Sequence, residues 1–459
     1  MRRVWYPGLM RSAVFLFLCA CLYGCGDDGA TPVADANVPA ADANATADAV
    51  VTPDARTTGS VTVNVLNQTP NSGIAVMYAD AAGAHTGTMT TDANGTVVIT
   101  DMPLGGFVTV ALGSTGFYSL RTVSGVEDGD VLNLGQRIET LGTQSLLMTN
   151  TGALGGTSYG TNQRCGSGGG GSPVDRANDL TSDCLNAEGK LDALGIVNGG
   201  GVVVAYSPRT DVAISGTAPN QTAAVLYDTW EQSFGSVQLD YNNDSGASED
   251  VALSVYGYRT GHAFNTAEAR ATLANSESAF RALSVVSFFD RAVTQVTTGT
   301  SSLSTSRAES RAIPGTGVTT TVTLASSDLL PVLSGASLDA GARTLTTGLA
   351  ALPTCGANAA TYVHGWWGGQ VNADTFEWSM VSPAATSVTF PELDPTLTAT
   401  FWPATIVLAW GQIDLVVAGS DYAAIRSTGL EADSVRLAEL LGPLGSDASA
   451  CFVRADLTP

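Results

Sequence analysis

Basic charge is scarce in this sequence of 459 residues. Lysine and arginine together number 20, against 42 aspartates and glutamates, and Lys190 is the single lysine. Recognition of nucleic acid relies on clustered lysine and arginine that neutralise phosphates, so the formal net charge of −22 argues against a nucleic-acid partner. Charged residues of both signs reach only 14%, which excludes a coiled coil, and 44% hydrophobic residues exclude a wholly disordered chain.

Recognisable catalytic and metal-binding motifs are missing as well. The histidines, His85, His262 and His364, lie in three separate regions, and no His-Glu-x-x-His spacing occurs. No Gly-x-Ser-x-Gly elbow stands at a predicted strand-to-helix turn, and no Cys-x-x-Cys pair offers a zinc site. The sequence therefore predicts a protein that is not an enzyme and holds no cofactor or metal. An envelope hydrolase remains the weakest alternative, since distant residues can converge on folding.

Residues 1–24 have the pattern of a lipoprotein signal peptide. Arginines precede the apolar run Ala13–Leu22, which is about half as long as the ~20 residues of a membrane-spanning helix. The run ends in Leu22-Tyr23-Gly24-Cys25, which resembles a bacterial lipobox, and this resemblance implies acylation of Cys25, for example with palmitate. An ordinary secretory signal is the alternative. We expect a protein anchored by lipid to the bacterial outer membrane, on its periplasmic or its surface face.

Residues 25–59 predict a disordered tether. Asp-Ala pairs recur at Asp35, Asp42, Asp48 and Asp54, with prolines between them. A segment with so few large apolar side chains cannot offset the entropy of ordering, and the prolines argue against the competing interpretation, an alanine-rich helix.

The rest of the chain predicts a mainly β fold of tandem β-sandwich domains, Ig-like or transthyretin-like. Val61, Val63 and Val65 alternate with polar residues, which is the period of a half-buried strand. Further short strand candidates follow, separated by Gly, Asn, Asp and Ser, as sandwiches require. Helices are expected only over 266–283, which is rich in alanine and preceded by Asn265, and over 434–441.

The folded part divides into a module at 60–136, a middle β-rich region at 137–325 and a C-terminal β-rich domain at 326–459. The first module combines a strand, Gly73-Ile74-Ala75-Val76, a Thr91–Gly95 turn and a Pro103 before the strand Gly106–Leu112. This pattern resembles the carboxypeptidase-regulatory-like family, which implies a small β-sandwich. A peptidase activity does not follow from the resemblance.

The C-terminal part carries a second resemblance. Phe376-Glu377-Trp378 and, further along, Ser387–Leu393 are similar to segments of exported lipoproteins common in myxobacteria, which join a regulatory-like module to further β domains. The resemblance implies a location in the cell envelope and brings no activity with it.

Four cysteines follow Cys25, and an even number in an exported chain indicates disulfide bonds. Three pairings are possible, and we favour the nearest neighbours, Cys165 with Cys184 and Cys355 with Cys451. The first bond would close the glycine-rich run Gly166–Ser172. That run lacks the Lys-Ser/Thr and helix pattern of a phosphate loop and is expected to be a linker or a loop.

The segment Asp240–Gly246 has oxygen-bearing side chains at alternate positions, which suits calcium. It departs from an EF-hand, because Ser245 stands where glycine is needed and Val251 where glutamate belongs. We therefore favour a polar hairpin loop between strands at 236–239 and 252–258, and calcium binding stays open.

The most distinctive local motif is His364-Gly365-Trp366-Trp367-Gly368-Gly369-Gln370. Neighbouring residues of a strand face opposite sides, so one tryptophan is free to lie at the surface and stack on a sugar ring. Core packing of the tryptophans is the favoured alternative. Trp366 and Trp367 are thus candidate ligand-stacking residues.

These observations predict a lipid-anchored envelope protein that acts as a structural, interaction or adhesion scaffold. The alternative from a different class is a protein that binds surface polysaccharide. The expected partners are the membrane, through Cys25, and an envelope protein or a polysaccharide whose identity the sequence leaves open.

Overall fold

The computed structural model describes residues 57–65, 72–114, 116–134, 140–186, 188–300, 302–418, 421–427 and 447–457. The predicted signal peptide, Cys25, almost all of the predicted tether and the helix expected at 434–441 lie outside the described residues. Within the described part, none of the helices is both long and apolar enough to cross a membrane.

The fold is mainly β, as predicted, and the first module begins with strands in which buried and half-exposed side chains alternate. Val61, Val63 and Val65 are buried as expected. The strands of this module are β1 (Thr58–Val65), β2 (Ala75–Ala79), β3 (His85–Thr90), β4 (Thr96–Pro103), β5 (Phe107–Ser114), β6 (Phe117–Ser124) and β7 (Val131–Leu134).

The middle region continues with strands and a short 3-10 turn at Ser182–Cys184. Its strands are β8 (Thr140–Met148), β9 (Ser158–Gln163), β10 (Gly166–Gly170), β11 (Asp175–Thr181), β12 (Leu191–Gly199), β13 (Val202–Val212), β14 (Gln221–Tyr227), β15 (Gly235–Asn242), β16 (Glu249–Arg259), β17 (His262–Leu273), β18 (Ser278–Val285), β19 (Arg291–Gly299), β20 (Leu303–Arg311) and β21 (Thr319–Ala325).

The C-terminal region adds a 3-10 turn at Ser326–Asp328, more strands and two short α-helices. The strands are β22 (Ser337–Asp339), β23 (Thr344–Thr346), β24 (Thr354–Cys355), β25 (Asn358–Val371), β26 (Asp374–Pro383), β27 (Ser387–Thr389), β28 (Val407–Val417) and β29 (Ser449–Leu457). The helices are α1 (Pro395–Phe401) and α2 (Tyr422–Ser427).

One large sheet runs through all three regions. Its order is β17-β16-β19-β20-β29-β28-β25-β26-β6-β5-β2-β3, and β24 pairs with β25 to complete 13 strands. Strand β6 of the first module pairs with β26 in parallel, and β29, the last strand of the chain, lies between β20 and β28. The sheet therefore crosses the predicted boundaries near 136 and 325.

Smaller sheets cover this large sheet and enclose the cores. The sheet β4-β1-β7 packs on the first module, β18-β15-β21 packs on β16, β17 and β19, and β22-β23-β27 covers the tryptophan-rich centre. The sheets β10-β9-β12-β13 and β11-β8-β14 form a separate sandwich with a core between them. On the other face of its first sheet, Leu194, Ile196 and Tyr206 pack into the core of the middle region. The multiple sandwich-like layers confirm the predicted fold class.

The helix expected over 266–283 is wrong, because this segment contains β17 and β18. Strand β17 pairs along the whole length of β16, so the sheet satisfies its backbone polar groups, and tertiary pairing overrides the helix preference of alanine. Asn265 is not a helix cap; its side-chain amide donates to the Tyr206 hydroxyl at 2.7 Å.

Candidate functional site around Trp366

Strand β25 places the two tryptophans of the motif on opposite faces of the large sheet. Trp367 is 1% exposed, and its ring centroid lies 6.1 Å from Trp378, 5.5 Å from Phe390 and 5.2 Å from Trp402. The stacking role predicted for Trp367 is therefore wrong. Its side chain fills the core between the large sheet and β22-β23-β27, so no ligand reaches it.

Trp366 faces the other side of the sheet and is half-buried. Its partners in register are Gln412 on β28 and Ser379 on β26. Trp366 belongs to none of the hydrophobic clusters that the described residues form. Trp410 shares this face and packs over Gly368, where a β-carbon would collide with the indole. The motif's glycine thus makes room for a second half-buried indole.

A buried carboxylate organises the polar groups beside Trp366. Asp414 accepts hydrogen bonds from Arg454 Nε at 2.9 Å and Arg454 Nη2 at 3.0 Å. Gln412 Nε2 donates to the same carboxylate at 2.8 and 3.0 Å, and His364 Nδ1 lies 3.3 Å from its Oδ2. Asp414, Gln412 and His364 are all buried, so this is a fixed hydrogen-bond network within the sheet.

Burial and electrostatic interactions shift the pKa of Asp414 in opposite directions. Burial by itself raises the pKa of Asp414, but the hydrogen bonds from His364 and Arg454 and the charge of the Arg454 guanidinium outweigh it and hold the pKa below its usual value. Burial also raises the pKa of the Tyr362 hydroxyl, and the negative charge of Asp414 adds to that rise. Asp414 is therefore ionised and Tyr362 neutral at neutral pH.

The histidine–aspartate pair does not extend to a catalytic triad in the described part of the chain. His364 uses Nδ1 toward Asp414, and its Nε2 is buried without a hydrogen-bond partner there. A Ser-His-Asp triad needs a serine hydroxyl at that second nitrogen. Within the part of the chain that the structure describes, the network thus fixes polar side chains on the Trp366 face of the sheet and brings no serine hydroxyl to His364.

Sequence reasoning singled out His364 and Trp366 but missed Asp414, Gln412 and Arg454. The sequence did contain a signal for two of them, since Gln412 and Asp414 are polar residues at alternate positions of an otherwise apolar strand. Alternation places both on one face, yet it does not show that β29 brings Arg454 beside them.

Both disulfides have the predicted pairing, Cys165 with Cys184 and Cys355 with Cys451. The first lies in the core of the separate sandwich, and the second ties β24 to β29. The expected loop at Gly166–Ser172 is wrong in part, because Gly166–Gly170 forms β10 and pairs with β9.

The acidic segment at 240–246 is not the expected hairpin loop. Strand β15 belongs to the sheet β18-β15-β21 and β16 to the large sheet, so the segment crosses between two facing layers. Its side chains already have protein partners: Asp244 accepts from Ser327 N at 2.9 Å and from Ser327 Oγ at 2.7 Å. Buried Asn243 donates to the Leu273 carbonyl at 2.9 Å. Within the described residues, no group of three or more His, Cys, Asp or Glu is arranged for a metal ion.

Comparisons with known proteins yield no family for this chain, because neither a protein-family model nor a curated protein matches it. The solved Bacillus anthracis TIE protein aligns at 10% identity over 59% of this chain and 50% of its own, with a TM-score of 0.15. This chain thus spans half the length of that protein. A streptococcal ancillary pilin aligns at 10% identity over 58% of this chain and 98% of its own, with a TM-score of 0.15. A shaft pilin of Lactobacillus rhamnosus GG aligns at 8% identity over 60% of this chain and 100% of its own, with a TM-score of 0.09. Such low scores carry no argument about function.

Proposed function

We propose that this protein is a lipid-anchored scaffold of the bacterial outer membrane that holds its β-sheets as one stiff unit for structural or adhesive contacts. The observation that carries this proposal is the single sheet that runs from β3 to β17 and is completed by β29 at its centre. A ligand-binding domain that hangs on a flexible chain does not need to share a sheet with its neighbours. A scaffold that transmits force does, because one continuous sheet keeps its regions from moving apart.

Contacts from α2 support a stiff connection between the first module and the C-terminal region. Arg426 is buried and donates from Nη2 to Glu127 at 3.0 Å and to Asp130 at 2.9 Å. The Tyr422 hydroxyl lies 2.8 Å from the Ser124 carbonyl and 3.0 Å from the Val381 carbonyl. These groups clamp the end of β6 against the strand with which it pairs.

The scaffold proposal is tested by crosslinking in living cells, followed by affinity purification and mass spectrometry. We expect one or a few envelope proteins at amounts close to that of the scaffold itself. Recovery of glycan alone, or of no partner, would argue against a scaffold.

Lipid anchoring is a separate prediction, and it rests on the lipobox at Cys25. Labelling cells with a clickable fatty acid should mark the wild-type protein, and Cys25→Ala should abolish the label because the acylated thiol is lost. Cys21→Ala is the matched control, since Cys21 belongs to the segment that cleavage would discard. Label that persists in Cys25→Ala, or that is lost in Cys21→Ala, would contradict the anchoring site.

A second candidate function is polysaccharide binding on the Trp366 face. It is favoured by one specific observation: a half-buried indole outside every described hydrophobic cluster lies beside the amide of Gln412, which Asp414 holds in place. An indole face with fixed polar groups at its edge suits the apolar and hydroxyl surfaces of a sugar.

Replacing Trp366 with alanine should weaken binding of envelope polysaccharide about fivefold or more, because a stacked ring contributes roughly 1 kcal/mol or more. Affinity electrophoresis with purified envelope and slime polysaccharides measures the effect. Phe280→Ala removes a 67% exposed ring from a different sheet and should leave mobility unchanged. Equal mobility of wild type and Trp366→Ala would remove this candidate function.

A further inference from the structure

A polar cleft opens in the separate sandwich, between its two edge strands β10 and β11. The cleft has a volume of about 510 Å³, which is within the range of ~300–1,000 Å³ usual for small-molecule sites. Gln144, Gln163, Ser167, Arg176 and Asn178 contribute to its lining. It lies in a different pair of sheets from Trp366.

The floor of this cleft is polar where the inside of a sandwich is normally apolar. Gln144 and Gln163 are only 2% and 4% exposed, yet both line the cleft. Gln163 Nε2 donates to Gln144 Oε1 at 2.9 Å, and Gln144 Nε2 donates to the Asp179 carbonyl at 3.0 Å. The two amides are thus held in one orientation before any ligand arrives.

Arg176 forms the cationic wall and lies across the glycine-rich strand β10. Its Nη2 donates to Thr161 Oγ1 at 3.2 Å, and a β-carbon at Gly168 would collide with the guanidinium. The absence of a side chain at Gly168 therefore lets Arg176 reach over the strand. A guanidinium has five N–H donors, and the buried Nε of Arg176 has no hydrogen-bond partner among the described residues. The Arg176 guanidinium therefore retains N–H donors that can bind an acceptor on a ligand.

We propose that the cleft binds a uronic acid residue of an acidic polysaccharide. The ligand's carboxylate accepts from the planar guanidinium of Arg176, a geometry in which arginine excels. The amide of Asn178 and the hydroxyl of Ser167 both donate and accept, which matches sugar hydroxyls. None of the residues that line the cleft is aromatic, and its charged residues are Arg176 and Asp179. Hydrogen bonds and the Arg176 cation therefore attract the ligand, and Asp179 offers an acceptor for a sugar hydroxyl. The site is independent of the scaffold proposal and of Trp366.

The formal net charge of −22 makes non-specific binding of an anion unfavourable. Binding of an anionic sugar would therefore indicate a specific site. Isothermal titration calorimetry on the folded, disulfide-bonded protein uses three probes: tri-galacturonic acid, neutral maltotriose and trialanine with its free carboxylate. We expect measurable binding of tri-galacturonic acid only. Absence of that binding would overturn the proposal, and trialanine binding of equal strength would overturn its assignment to a sugar.

Three variants locate the site. Arg176→Gln should weaken tri-galacturonic acid binding by about tenfold or more, since hydrogen bonds to charged groups are the strong ones. Gly168→Ala should weaken it as well, because the new methyl group displaces the guanidinium without removing it. Gly170→Ala is the matched control on the same strand, with open space around its β-carbon, and should bind like wild type.

Circular dichroism and free-thiol titration confirm that each variant folds and keeps its disulfides. If Arg176→Gln does not fold, Gly168→Ala still tests whether Arg176 binds the uronate, because this variant retains the arginine. Wild-type affinity in a folded Gly168→Ala or Arg176→Gln variant would place the uronate elsewhere and refute the proposed site.

Discussion

Replacing both Cys355 and Cys451 with serine is expected to lower the free energy of unfolding by about 4 kcal/mol, because a bond across such a long loop restricts the unfolded chain strongly. The two cysteines are 96 residues apart, and Cys451 lies on β29 at the centre of the large sheet. Loss of this bond therefore also loosens the strand that connects the middle and C-terminal regions. Chemical denaturation followed by tryptophan fluorescence measures the loss.

The other disulfide provides the matched control. Cys165 and Cys184 are only 19 residues apart and belong to the separate sandwich. Their double serine variant should lose about 3 kcal/mol, since loop closure entropy grows slowly with loop length. Its effect on fluorescence should be confined at first to Trp230, which packs against the core of that sandwich, and should reach the tryptophans of the large sheet later. A larger loss from this pair than from Cys355 and Cys451 would contradict the central role assigned to β29.

The second large effect is expected at Asp414, where Asp414→Asn should cost about 3 kcal/mol. The asparagine removes the buried carboxylate that accepts both hydrogen bonds from the Arg454 guanidinium, and removing one partner of an ion pair that is buried on one side is strongly destabilising. Asp101→Asn is the control, because Asp101 is an exposed carboxylate on β4 of the first module, in a different sheet from Arg454. We expect its free energy of unfolding to stay within about 0.5 kcal/mol of wild type. Equal losses in both variants would show that the Asp414 network contributes nothing specific.

The same residue predicts how stability depends on pH. Folding lowers the pKa of Asp414, so the folded state favours the ionised carboxylate. This contribution is fully present above the ordinary aspartate pKa of about 3.9 and is lost as the pH falls through the lower pKa of the folded state. The stability gap between wild type and Asp414→Asn should therefore narrow on acidification below about pH 4. A gap that stays constant to low pH would contradict an ionised, hydrogen-bonded Asp414.

Three segments show which structural features a local sequence pattern predicts and which it does not. The alternation of Val61, Val63 and Val65 predicts a strand correctly, because the period of two is a property of the extended chain itself. The alanine-rich segment over 266–283 misled the prediction, since helix preference is weak and the pairing partner β16 decides the outcome. The same limit applies to the acidic segment at 240–246, which looked like a hairpin loop until its two strands were found in different sheets.

The candidate site, too, was only partly predictable from the sequence. The motif on β25 marks Trp366 and His364, and alternation alone says that Trp366 and Trp367 face opposite sides. Which tryptophan is buried depends on the sheet β22-β23-β27, which covers one face. Asp414 and Arg454 come from strands about 50 and 90 residues further along, so no local spacing connects them to His364.

The sequence by itself determined that the chain is mainly β and that basic charge is scarce, and it favoured the pairing of neighbouring cysteines that the structure confirms. Each of these follows from composition or from spacing along the chain. Only the tertiary structure decided that one sheet joins the three regions, that Asp414 is buried among His364, Gln412 and Arg454, and that Arg176 lies across Gly168. The physical reason is that strand order and sheet stacking are set by contacts between distant segments, and a strand's own residues specify its faces but not its neighbours.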